Sequence, residues 1–292
     1  MGTSKNATDI LNGIDSRLPF LERLRHLSTL EWEEIPEVRG HASNVAQSSG
    51  LIAEQLGMSE RQVDNVYFAA RWHDIGKLAV DKEVLFKPGR LSQDEFHEMK
   101  LHAAAGVDLL GPDAPRMLVN AAAYHHERYD GFGYNGFKNE EIPLEARIIA
   151  VADVHDALVA KREYKDPMLE QDALILMTGD VPSPGFGRRG FDPIILRLFV
   201  GMRLADPRFI ASDENRAKLA AYRDSNPMDD LSPEAIAEGW VLKQSGHRLK
   251  YDNGPGVPKL EVMFDPAGQV TYRRPDQDRA VEFDDSASAC RM

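Results

Sequence analysis

The chain has 292 residues, 42% of them hydrophobic and 28% charged, with a formal net charge of −12. That length exceeds what one hydrophobic core usually serves, so a domain of moderate size with an appendage is expected. The acidic balance argues against broad binding to DNA or RNA polymers or to anionic membrane surfaces. No apolar run approaches the roughly 20 residues that span a bilayer, and the single cysteine, Cys290, excludes an internal disulfide framework.

The first residues, "MGTSKNATDILNGIDSRLPF", carry no basic-then-apolar pattern, and a reducing cytoplasmic setting is expected. Residues 1–34 read as a helical lead-in. From Ile35 to Met202 the pattern stays helical. Val45, Leu51, Ile52 and Leu56 are spaced for one apolar face. Ser59 reads as an N-cap, and Ser92 with Glu95 as a capping box opening the next helix. Pro112 and Pro115 punctuate before a segment that runs to His125. A glycine-rich loop follows, "YDGFGYNGF", and Pro143 suits the first residue of a helix through "LEARIIAVADVHDALVA". Gly179–Gly190 forms a Pro/Gly-rich loop that could shape one side of a pocket, and Asp192-Pro193 restarts a helix. Beyond residue 206 two short helical stretches precede "KLEVMFDPAGQVTYRR", whose alternation about "DPAG" predicts a β-hairpin. The expected organisation is a domain over 35–205, an extension over 206–275 and a disordered tail over 276–292.

Seven of the nine histidines lie between His41 and His155, several beside acids. His73 and Asp74 are adjacent, with Lys77 one turn onward. Glu37 precedes His41 by four residues, which is one helical face. His102 opens the small-residue run "HAAAG", His125 and His126 are neighbours, and Asp153 sits inside the apolar "AVADV". Imidazole with carboxylate suits divalent iron, manganese or zinc, and the lack of cysteine ligands argues against a closed structural zinc site. Neighbouring helical residues diverge by about 100°, so His125 and His126 are expected to serve different ions of a centre with two or three. Such centres polarise phosphate oxygens and supply hydroxide at neutral pH.

In that order, "HDIGK", "HHERYDGFGYNGF", "IPLEARIIAVADVHDAL" and "KREYK" resemble the HD-GYP family, a branch of the HD superfamily of metal-dependent phosphohydrolases. The resemblance covers roughly Ile35 to Met202. It implies an all-α helical bundle around a di- or trinuclear metal site, here followed by a small C-terminal α+β extension. It implies iron or manganese held by His73, Asp74, His102, His125, His126 and Asp153, with Glu37 and His41 matching the ligands of a third ion. It gives Asp74 and Lys77 the catalytic roles, Lys77 beside the scissile phosphate, and puts Tyr134, Arg162 and Lys165 on the substrate. His155 receives no role. The activity implied is hydrolysis of a cyclic dinucleotide, with cyclic di-GMP first and mixed cyclic GMP-AMP next. A non-catalytic dinucleotide receptor or adaptor is the rival reading, and a homodimer or signalling-protein partner is compatible with either. Asn135 replaces the proline of the GYP signature, a change expected to keep the bend and free one backbone N–H.

Overall fold

In the computed structural model the described residues are 18–161, 166–180, 187–225, 227, 241–245, 248–252, 260–264 and 270–273. They form eleven α-helices and four strands. The helices are α1 (Phe20–Glu34), α2 (Pro36–Gln55), α3 (Glu60–Arg71), α4 (Lys82–Leu85), α5 (Gln93–Lys100), α6 (His102–Leu110), α7 (Arg116–Tyr124), α8 (Leu144–Val159), α9 (Glu170–Thr178), α10 (Pro193–Ala205) and α11 (Asp213–Asp224). The helical bundle expected over this region is what the chain builds. Residues 1–17 of the lead-in, the tail 276–292 and one of the two helical stretches expected after residue 206 lie outside the described residues. No described helix is long and apolar enough to cross a membrane.

Helix α8 is the axis of the bundle. Its "IIAVA" run puts Ile148, Ile149, Val151 and Ala152 entirely out of contact with solvent, as a helix apolar on all sides requires. Helices α2, α3, α7, α9 and α10 pack around it. On α2 the buried face carries Val45, Ile52 and Leu56, but Leu51 is 52% exposed. Leu51 is turned about 100° from Ile52 and so falls off the face that the other three share. The expected caps form: Glu95 N donates to Ser92 Oγ while Ser92 N donates to Glu95 Oε2, and Ser59 N donates to Gln62 Oε1. Pro143 is the residue before α8 rather than its first, while Asp192 caps α10 by accepting from Ile194 N and Ile195 N ahead of Pro193 at the first turn.

Between α3 and α4 the chain leaves the helix at Trp72 and tightens into a 3-10 turn over Ile75–Ala79. Gly76 in that turn lies against the start of α6. A Cβ there would stand 1.8 Å from His102 O and 2.5 Å from Gly106 N, so only glycine lets the two backbones meet. That contact brings "HD" and His102 to the same place.

The four strands, β1 (Val241–Ser245), β2 (Arg248–Asp252), β3 (Leu260–Phe264) and β4 (Val270–Arg273), form one antiparallel sheet in the order β1-β2-β3-β4. The hairpin expected around "DPAG" is β3–β4, paired from Glu261↔Arg273 to Phe264↔Val270. A second pairing, β1–β2, was not anticipated; it closes with Ser245 opposite Arg248.

Gly76→Ala is expected to reduce stability by at least about 2 kcal/mol, because backbone atoms rather than a side-chain tip oppose the added methyl. A urea titration followed by circular dichroism measures it, and a midpoint equal to the wild type would contradict the contact.

Candidate metal centre

Asp74 is the point at which the bundle's polar side chains converge. His73 Nε2 lies 3.2 Å from Asp74 Oδ2, and His102 Nε2 and His125 Nε2 each lie 3.5 Å from Oδ1. His41 Nε2 is 3.7 Å from Oδ2. All of these side chains are buried except His41, which is partly so. They arrive from different elements: His41 from α2, His73 and Asp74 from the turn after α3, His102 from the first position of α6, and His125 from the end of α7.

The local backbone selects the tautomer of three of the histidines. Nδ1 of His73 lies 2.6 Å from Ala70 O, that of His102 2.6 Å from Met99 O and that of His125 2.8 Å from Ala121 O. A carbonyl oxygen can only accept, so each Nδ1 carries the proton and each Nε2 presents a lone pair to the centre. Burial holds His102 at a pKa of about 3 and His126 well below the ordinary imidazole value. Both are therefore neutral, as ligands must be. Burial also opposes the charge on Asp74, but the Lys77 ammonium and then His73 outweigh it and hold the carboxyl well below its usual range. Lys77 Nζ sits 2.5 Å from Asp74 Oδ2.

His41 is held at both ring nitrogens. Nδ1 meets Asp156 Oδ2 at 2.6 Å and Nε2 meets Asp153 Oδ1 at 2.9 Å. Burial works against its charge, yet the hydrogen bonds to Asp153 and Asp156 raise its pKa to about 9. Asp153, on α8, is driven below the ordinary carboxylate range chiefly by that bond, against the cost of its own burial.

The residues fit divalent cations. Two sets offer ligand atoms that lie within 4.8 Å of one another: Asp74 with His102, His125 and His126, and His41 with His73 and Asp74. Asp74 belongs to both. His73 Nε2 and Asp74 Oδ1 are buried with no hydrogen-bond partner, a costly state that a cation would relieve. His102 Nε2 and His125 Nε2 face each other at 3.3 Å, a contact that two lone pairs tolerate only across a shared proton or cation.

Not every expected site residue joins these sets. Glu37 is exposed in the first turn of α2 and belongs to neither, and Asp153 also lies outside both, meeting the centre through His41 Nε2. His125 and His126 enter the same set rather than separate ones, their ring centroids 4.1 Å apart. The 100° divergence applies within a helix, and α7 ends at Tyr124, so both histidines lie beyond it. Tyr134 packs its ring on His126, centroids 4.6 Å apart, and burial pushes its phenol above the ordinary value, so it stays a neutral hydroxyl. Arg162 and Lys165 lie outside the described residues, as do residues 181–186 of the Gly179–Gly190 loop. Its described end meets the glycine-rich loop where Gly190 O accepts from Tyr129 N.

A family model described as an HD domain matches residues 21–183, more than half of the chain. The chain belongs to the HD domain family. Over 151 residues it is 47% identical to the cyclic di-GMP phosphodiesterase response regulator RpfG of Xanthomonas campestris pv. campestris (strain 8004), covering 50% of this chain and 38% of that protein. It is 43% identical over 163 residues to a cyclic di-GMP phosphodiesterase of Thermotoga maritima, covering 54% and 44%. It is 36% identical over 162 residues to the 3'3'-cGAMP-specific phosphodiesterase 2 of Vibrio cholerae, covering 54% and 31%. The chain thus spans less than half the length of these curated relatives.

Two buried acids of this HD domain escaped the sequence reading. Asp156 lies one turn beyond Asp153 on α8, and that spacing could have flagged it. Glu127 accepts at Oε1 from Asn135 N and Asn135 Nδ2, both at 2.8 Å, and at Oε2 from Gly136 N and Phe137 N, both at 3.1 Å. The N–H expected to be freed at Asn135 is therefore bonded. Of the two turn residues only Gly136 takes a positive φ, +81°, which is the type II pattern that a proline before glycine would also build.

Asp156→Asn should weaken metal binding by roughly 10- to 100-fold through loss of the carboxylate that orients His41, with helical content unchanged. Competition against a chelator of known affinity measures this. Unaltered affinity would remove Asp156 from the support of the site.

Proposed function

We propose that this chain is a metal-dependent hydrolase that opens the phosphodiester ring of a cyclic dinucleotide, cyclic di-GMP before mixed cyclic GMP-AMP, to a linear dinucleotide. The observation that carries the reading is the carboxylate of Asp74 shared by two convergent ligand sets. The names of the relatives, cyclic di-GMP and 3'3'-cGAMP phosphodiesterases, support the substrate class. In this reading residues 35–205 are the catalytic unit, residues 206–275 an extension, and the setting is cytoplasmic.

Two divalent ions, iron or manganese, suit a donor set of imidazoles and carboxylates. His102, His125, His126 and Asp74 would hold one, and His41, His73 and Asp74 the other, joined by Asp153 once His41 gives up the proton it shares with that carboxylate. Glu37, exposed and outside both sets, favours two ions over three. When bound, the ions neutralise phosphate charge and lower the pKa of water. The chain's own residues do the rest. The carbonyls of Ala70, Met99 and Ala121 keep three imidazoles in the ligating tautomer.

Lys77 has a distinct task. Hydrolysis adds water across one P–O ester bond, and charge gathers on the phosphate oxygens as that bond breaks. The Lys77 ammonium, tethered to Asp74, is a fixed positive charge beside that event and needs no reorganisation to act. Tyr134, a neutral hydroxyl stacked on His126, would bound the substrate on one side. Arg162 and Lys165 would take the remaining phosphate, Arg162 in a bidentate manner.

The test is anaerobic purification, loading with iron or manganese, and incubation with cyclic dinucleotides, products being separated by chromatography. Turnover to a linear product is expected. Binding without turnover by the loaded protein would overturn the hydrolase in favour of a receptor. Asp74→Ala is expected to lose metal and turnover together. Lys77→Ala is expected to keep metal and lose turnover by roughly 10²- to 10³-fold, and loss of metal in that variant would contradict its electrostatic role.

A further inference from the structure

Tyr134, whose ring packs on His126, also lines a cavity of about 460 Å³ together with, among others, His97, Lys100, Tyr124, Asn135 and Phe137. The cavity sits where the end of α5, the start of α6, the end of α7 and the glycine-rich loop meet. Three features distinguish it from an ordinary surface groove. Three of its lining residues are aromatic: Tyr124 and Phe137 meet edge to face with centroids 5.2 Å apart, and Tyr134 meets Phe96, itself outside the lining, in the same way at 6.3 Å. Phe137 is 38% exposed, so flat apolar surface of the lining faces solvent. Third, Lys100 Nζ stands 5.1 Å from the Phe96 centroid and 5.3 Å from the Tyr134 centroid. Among the described residues no carboxylate pairs with it. In a protein with 47 acidic residues against 35 basic ones, an ammonium left on two ring faces is available to a ligand.

We propose that this groove receives a purine base of the bound dinucleotide and that Lys100 makes the subsite selective for guanine. The inference rests on the cyclic-dinucleotide reading above and goes beyond it by naming the residue that chooses the base. Tyr134 links the two places, since its ring packs on His126 and the residue lines the groove. A phosphate bound at the ligand sets leaves the attached nucleoside to extend past Tyr134. Aromatic walls suit the face of a base, at about 1–3 kcal/mol per stacked base, and are indifferent to its identity. Selectivity comes from the edge. Guanine presents N7 and O6, both acceptors, where adenine presents the acceptor N7 beside the donor N6 amino group. An ammonium only donates, so it satisfies guanine and sets donor against donor with adenine. Among the other donors of the lining, the Asn135 side-chain amide is already bonded to Glu127.

The experiment compares kcat/KM for cyclic di-GMP and cyclic di-AMP in the metal-loaded wild type, Lys100→Met and Lys100→Arg, with metal content measured in each. The wild type is expected to favour cyclic di-GMP. Lys100→Met should keep its metal and lose about tenfold or more of that preference, mainly through KM for the guanine substrate, and Lys100→Arg should restore it, because a guanidinium also donates to O6 and N7. A wild type active on cyclic dinucleotides whose base preference is the same in Lys100→Met overturns the assignment of Lys100 and leaves the hydrolase reading standing. A wild type inert on every cyclic dinucleotide overturns the hydrolase reading and this one with it. Equal loss on both substrates, without rescue by arginine, reduces Lys100 to a packing residue.

Discussion

An ionised carboxylate removed from water must be solvated again by the protein, or it drives the chain to unfold or to take up a proton. Asp74, with 2% of its side chain exposed, has the Lys77 ammonium on Oδ2 and ring nitrogens of His41, His73, His102 and His125 within 3.7 Å, and a cation shared with those nitrogens would complete its solvation. No single helix could supply them. Helices α2, α6 and α7 and the turn after α3 must all end or pass at one point, and the bundle is arranged so that they do. The tight 3-10 turn keeps Lys77 on the carboxylate of Asp74, while the missing side chain of Gly76 lets α6 begin against that turn. The chemistry and the packing are therefore one constraint: a change that moves α6 away also strips Asp74 of its partners.

The same economy governs the direction of the ligands. Orientation here comes largely from the main chain, because carbonyls at helix ends are already in need of donors. His73, His102 and His125 each return Nδ1–H to a carbonyl three or four residues earlier. A helix terminus thus gains a partner and the imidazole loses its freedom to flip. His41 is the exception, lying mid-helix where every carbonyl is occupied, and it is oriented by a side chain instead, Asp156.

What could be read in advance follows from this division. "HDIGK", "HH" and the acid in "AVADV" stand out in the sequence because the donor chemistry of a side chain is written at its own position. The helices were legible for the same reason, through spacing and caps. Relations across the chain were not. Nothing in the neighbourhood of Glu127 says that it will collect amides from residues 135–137, since a loop's backbone donors look alike in sequence. The 100° divergence expected for His125 and His126 presumes a helix, and the helix stops one residue earlier. Glu37 has the helical spacing to His41 that was expected, and the start of α2 on which it sits faces solvent, which spacing alone does not reveal.

Asn135 shows how a loop can keep its shape while the means of holding it change. Proline at this position restricts φ covalently and contributes no N–H. Asparagine leaves φ free, so the turn has to be held by bonds, and both donors of Asn135 go to the same oxygen of Glu127. The buried Glu127 carboxylate in turn depends on those donors: a proline here would leave Oε1 without either of them, while Oε2 would keep only Gly136 and Phe137. Charge-assisted bonds of this kind are each stronger than a neutral one, and together they replace what ring closure would have imposed. The two residues therefore act as a unit, with Gly133 as its floor: a side chain there would come within 2.5 Å of Glu127 Cα. Because Tyr134 immediately precedes the turn, the anchoring of Asn135 to Glu127 fixes where the wall between the metal centre and the aromatic groove stands. Asn135 and Glu127 thus hold together the loop that carries Tyr134.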